Sequence, residues 1–258
     1  MGGRIINYYR IYTHLKMIQY IYIIIYILSK GGKVLKLRNL ISKYIRNSGY
    51  PEVEEVVGNR TFWDNMSPDK GIISKTDYDN MTEEKRMSYT NAIMQFAHKN
   101  INLSPTKYVH GSKEKYSPEY SICYYAEKYN VSLRRGIENK EAYACSDAIK
   151  HYKLINDIVV YRGIDHEVME QTKREAHTFE GVDIYDKAFL HTSLTKATTP
   201  RRKYNLRILL PKGTCAFYAG NVNGGIESFQ EVVVQRGAKL KILSEDEEYT
   251  NCLLICTD

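Results

Sequence analysis

A chain of 258 residues, 43% of them hydrophobic, is long enough for one well-cored domain with appendages and too short for two large ones. Its net charge of +7 favours anionic partners, whether phosphorylated ligands, nucleic acid or a membrane surface, and decides nothing about fold. The five cysteines, Cys123, Cys145, Cys215, Cys252 and Cys256, have neither CxxC nor Cys/His spacing, so no metal site is expected, and an odd number cannot all pair within one chain.

The chain opens with MGGRIINYYRIYTHLK, which carries Arg4, Arg10 and Lys16, and continues into the apolar run MIQYIYIIIYIL at 17–28. A bilayer span needs roughly 20 residues, so this run is short for a crossing. It suits the apolar region of an export signal. Residues 1–32 are therefore read as a signal or membrane-interfacial segment, which places the protein as secreted or membrane-associated; a buried helix is the alternative. Ile6 stands where a myristoylation signal would have Ser or Thr.

Residues 33–79 read as a helical region followed by a linker. VLKLRNLISKYIRN (34–47) has apolar residues at helical spacing and a basic opposite face, whereas PDKGIISKTDYDN (68–80) has no period. Three more helices are expected. TEEKRMSYTNAIMQFAHKN (82–100) opens on a Thr cap and an acidic first turn, SPEYSICYYAEKYNVSLRRG (117–136) starts Ser-Pro and stops at Gly136, and the last covers 139–152.

From residue 157 the apolar period changes to two. DIVVYRGI, KAFLHTSL, YNLRILLP, TCAFYAG, FQEVVVQRG, AKLKILS and YTNCLLICT read as strands between Gly, Pro, Asn and Asp punctuation. Helices first and strands second predict an α+β fold with a twisted, mostly antiparallel core. Neither GxGxxG nor GxxxxGK[ST] opens a helix, so the usual phosphate loops are missing from the sequence.

Polar residues interrupt three of these strands: Arg162 ends IVVY, Thr192 and Ser193 end AFLH, and Glu231 opens VVV. Each has an ordinary explanation as an edge residue, a turn or a solvated face. On neighbouring strand ends they would form a cleft holding a cation and an acid in low dielectric.

These motifs, in this order, resemble the ADP-ribosyltransferase exoenzymes of the Arg-Ser-Glu type, a family that includes clostridial actin- and Rho-modifying toxins and phage enzymes. IVVYRGI is similar to the family's aromatic-Arg strand, AFLHTSL to its Ser-Thr-Ser strand, QEVVVQRG to its Glu strand, and EYSICYYAEKYNVSLRRG to the helix before the first motif. The resemblance covers residues 80 to 257. It implies an 80–258 domain with N-terminal helices packed on a two-sheet core, NAD as co-substrate, a protein acceptor, and action in the cytoplasm of a host or target cell. Glu231, Arg162 and Ser193 would be catalytic. Tyr161, Gly163, Arg134, Arg135, His191 and Thr192 would complete the NAD site, and Phe229 and Gln230 would face the acceptor.

Cleaving the nicotinamide–ribose bond develops positive charge on the sugar, which a carboxylate at Glu231 would stabilise. Arg162 would take the phosphates through its planar fork. The sequence departs from the family at two places. His191 stands where the first serine usually bonds the Glu, and alternation puts His191 and Ser193 on one face, so either can take that bond. Phe229 stands two positions before Glu231, where many members carry Glu or Gln to engage the acceptor, and Gln230 points to the opposite face.

The function expected is a mono-ADP-ribosyltransferase acting on a protein, with an NAD glycohydrolase or a non-catalytic member of the fold as alternatives. A basic nucleic-acid or membrane-binding module is the alternative of another class, through RNLISKYIR, TPRRKYNLR or residues 17–28. The RRM, KH and zinc-finger signatures that would favour nucleic acid are missing from the sequence.

Overall fold

The computed structural model describes residues 63, 66–101, 122, 126–220 and 230–258, all within a compact unit from Asn59 to Asp258. The expectations for 1–32 and 34–47 lie outside the described residues. Among the described residues no helix is long and apolar enough to cross a membrane.

The segment 68–80, expected as a linker, is partly folded: α1 (Lys75–Asp79) starts in a capping box between Ser74 and Asp77 and buries Tyr78. Helix α2 (Glu83–Asn100) follows the sequence closely. Thr82 caps it by accepting from the Lys85 N–H, Glu83 and Glu84 sit in its first turn, and His98 and Lys99 lie in its last, all in favour of the helix dipole. Its buried side, Ile93 and Ala97, joins the largest apolar cluster. Next come α3 (Asn130–Arg134) and α4 (Lys140–Ile149), where Asn139 accepts from the Ala142 N–H.

The remaining elements are β1 (Ile158–Ile164), α5 (His166–Ala176), β2 (Ile184–Asp186), β3 (Leu190–Ser193), β4 (Tyr204–Leu210), β5 (Ala216–Gly220), β6 (Glu231–Val234), β7 (Ala238–Glu245) and β8 (Thr250–Cys256). Their hydrogen bonds make the fold α+β, with one mixed sheet ordered β2-β7-β8-β4-β1-β3-β6-β5. The β4–β8 pair is parallel, and β1 runs antiparallel to both of its neighbours.

The expectation of two separate sheets is not confirmed. A group of five strands and a group of three are joined through one register pair, Tyr161 with Ser193, which makes the hydrogen-bonded ladder continuous. That junction also organises the site. Tyr161 is opposite Ser193, Ser193 is opposite Glu231, and Glu231 is opposite Gly220, so one line of residues crosses four strands.

Candidate active site

Strand β6 explains how a carboxylate tolerates its place beside three valines. Val232, Val233 and Val234 are fully buried, whereas Glu231, at the strand's first position, is only half-buried. Its Oε1 lies 2.6 Å from Nδ1 of His191 on β3. Since a carboxylate only accepts, Nδ1 carries the proton of this bond, and a neutral His191 ring then has Nε2 as an acceptor. That Nε2 is buried and has no hydrogen-bond partner among the described residues. Of the two groups expected to bond Glu231, His191 does so.

Ser193 follows two positions later on β3. Its hydroxyl donates to the Thr195 carbonyl at 3.0 Å and lies 2.6 Å from Thr198 Oγ1. These contacts brace the turn that leaves β3. Thr192 faces the other way and donates to the Val232 carbonyl at 2.8 Å.

On β1, Arg162 is 9% exposed. Its Nη2 donates to Asp186 Oδ2 at 3.3 Å, while its Nη1 is buried without a hydrogen-bond partner among the described residues. Burial pulls the guanidinium below its ordinary value; Asp186 opposes that, Arg134 adds to it, and Glu231 opposes it. Arg162 and Glu231 therefore act on each other electrostatically. Arg134, in the last turn of α3, makes a two-pronged bond to the same carboxylate, Nε to Oδ1 at 3.0 Å and Nη2 to Oδ2 at 2.9 Å.

The other expected residues fall apart from this group. Tyr161 is 1% exposed and packs with Trp63, Val159 and Leu209, because alternation along β1 turns it to the opposite face from Arg162. It does not line the cleft. Gly163 serves close packing: a Cβ there would lie 2.0 Å from the Pro200 carbonyl oxygen. Arg135 is exposed at the end of α3. Gln230, expected near an acceptor, is 1% exposed and accepts a hydrogen bond from Tyr218, so it is held inside the protein. Phe229 lies outside the described residues.

Two residues that fix this group in place carry no clear signal in the sequence. Asp186 holds both arginines, and its only local signal was an acid just before KAFLHTS. Asn130 donates to the Phe189 carbonyl at 3.2 Å and accepts from the Phe189 N–H at 3.0 Å, which fixes the entry to β3. Nothing in the local pattern marked it.

The model of the ADP-ribosyltransferase exoenzyme family matches residues 124–255, which contain Arg162, His191, Ser193 and Glu231. The chain belongs to this family. No curated protein sequence matches it. Solved structures similar to this exoenzyme-family chain include Plx2a, an ADP-ribosyltransferase toxin from Paenibacillus larvae, at 20% identity and a TM-score of 0.41, covering 55% of this chain and 86% of that one. The C3 exoenzyme of Clostridium limosum is 15% identical with a TM-score of 0.41, covering 55% and 86%. C3stau2 from S. aureus, solved with NAD, is 15% identical with a TM-score of 0.36, covering 67% and 95%.

Proposed function

We propose that this exoenzyme-family chain is a mono-ADP-ribosyltransferase that cleaves the nicotinamide–ribose bond of NAD and joins the ADP-ribose to a protein side chain. The observation that carries the reading is the half-buried Glu231 on His191, beside a buried and incompletely bonded Arg162 on the next strand but one. A buried guanidinium that shares its one carboxylate with a second guanidinium suits a phosphate, and an oriented carboxylate suits a developing positive charge. NAD presents both. Arg162 and Arg134 hold the phosphates, Glu231 faces the reacting ribose, and His191 keeps the carboxylate in place. The products are nicotinamide, the modified acceptor and one proton lost by the acceptor.

A second reading, NAD glycohydrolysis, is favoured by the groups beside Glu231. Gln230 is buried on Tyr218, and Phe229 stands where a Glu or Gln would engage an acceptor, so water is a plausible competitor for the sugar. In the transferase reading Phe229 is instead an apolar contact for the acceptor protein. Export of the protein and action within a host cell belong to the same proposal.

Incubation with a cell lysate and NAD labelled in its adenylate half separates the readings. Label on a discrete protein band is the expected result. Free labelled ADP-ribose alone indicates the glycohydrolase, and intact NAD overturns both.

A further inference from the structure

Asp186 accepts four hydrogen bonds, three of them from two arginines. It is 2% exposed at the end of β2, with Arg134 on both oxygens at 3.0 and 2.9 Å and Arg162 at 3.3 Å on Oδ2. Its Oδ1 also accepts from the Ala188 N–H at 3.0 Å. These bonds join α3, β1, β2 and the segment entering β3. Behind Arg134, Gln171 of α5 donates to its carbonyl at 2.9 Å. The guanidinium pair is thus fixed from several sides.

Among the described residues the charges do not balance at this point. Two guanidiniums share one carboxylate, and Glu231, the next acid to act on Arg162, is bonded to His191. One N–H-bearing nitrogen of Arg162 is left buried and unpartnered among the described residues. A buried cation with spare donors is costly unless an anion completes it.

We propose that Asp186 is a positioning residue, one that never touches the co-substrate but sets Arg134 and Arg162 side by side as a two-guanidinium receptor for a diphosphate. The inference rests on the reading of NAD as co-substrate, although the receptor itself is defined by diphosphate chemistry. Asp186 supplies too little charge to neutralise the pair and enough to keep the two cations from driving each other apart. Without it, Arg134 would be released from Arg162.

Asp186→Asn preserves shape and the acceptor for Ala188 while removing the charge. The variant and the parent protein are compared for inorganic pyrophosphate binding by calorimetry and for KM and kcat with NAD, after circular dichroism has established that both are folded. Pyrophosphate affinity should fall, and KM for NAD rise, by about tenfold, the scale of a charge-assisted hydrogen bond, while kcat falls by less than about threefold. Unchanged pyrophosphate affinity overturns the proposal, as does a loss confined to kcat. If Asp186→Asn does not fold, Arg134→Gln takes its place: the same tenfold loss of pyrophosphate binding is expected, and unaltered binding overturns the receptor. A parent protein that binds pyrophosphate without cleaving NAD sinks the enzymatic reading and leaves this one standing; a parent that binds neither sinks both.

Discussion

In the proposed reaction Glu231 and His191 carry the chemistry at the residue scale. Glu231 is legible in the sequence because it opens a valine run, and Arg162 because it ends an apolar run with a charge. Asp186 is not, because its partners are 52 and 24 positions away and no local period marks a carboxylate that two distant arginines will share. His191 was legible as a departure from the family pattern, and its 2.6 Å bond to Glu231 gives that departure a role. Replacing it by alanine frees the carboxylate to rotate. His191→Ala should therefore lower kcat for NAD cleavage by about tenfold or more, in line with the loss of a charge-assisted hydrogen bond. His191→Ser, which restores a donor of the family's kind, should recover part of that loss. Steady-state kinetics on the two variants checks it, and equal losses in both would mean that ring packing rather than the hydrogen bond matters.

At the scale of elements, the long strands and α2 followed from periodicity and caps, because each has its signal within its own residues. Helix α5 did not. Its buried positions are Met169, Thr172 and Ala176, too few apolar residues to register as a face, and β2 is a three-residue edge strand. The joining of two strand groups by Tyr161 and Ser193 depends on pairing between residues distant in sequence, so no local period marks it. Strand β1 offers a test of how tightly its neighbourhood is packed. A methyl group at position 163 meets the Pro200 backbone oxygen at 2.0 Å, and a backbone atom cannot swing aside as a side chain can. Gly163→Ala should cost about 1–3 kcal/mol, the range for overpacking a close contact, read as a lower denaturation midpoint at unchanged slope. An unaltered midpoint would show that the 200–202 segment moves freely away from β1.

Across the whole molecule, the compact unit runs from Asn59 to Asp258. Trp63 is fully buried against Val159, Tyr161 and Leu209, the Arg207 guanidinium lies 5.2 Å from its ring centre, and the Val159 N–H donates to the Met66 carbonyl at 3.1 Å. A start at residue 80, drawn from the family motifs alone, would strip this indole from the back of β1. Trp63→Ala should cost about 3–5 kcal/mol, as large aromatic deletions from a core do, and chemical denaturation of the full chain measures it. Burial keeps two thiols out of the chemistry: Cys145 and Cys252 are pushed up to about 12, so they stay protonated and unreactive near neutral pH. The proposed chemistry is concentrated where β1, β3 and β6 meet through Tyr161, Ser193 and Glu231. Nicotinamide release from NAD by the full-length protein and its Glu231→Gln variant is the most direct measurement of that claim. The variant should fold normally, bind NAD within about threefold of the parent, and release nicotinamide at least about 100-fold more slowly, the scale of one preorganised electrostatic stabiliser. A folded Glu231→Gln protein that cleaves NAD at near the parent rate would contradict the account.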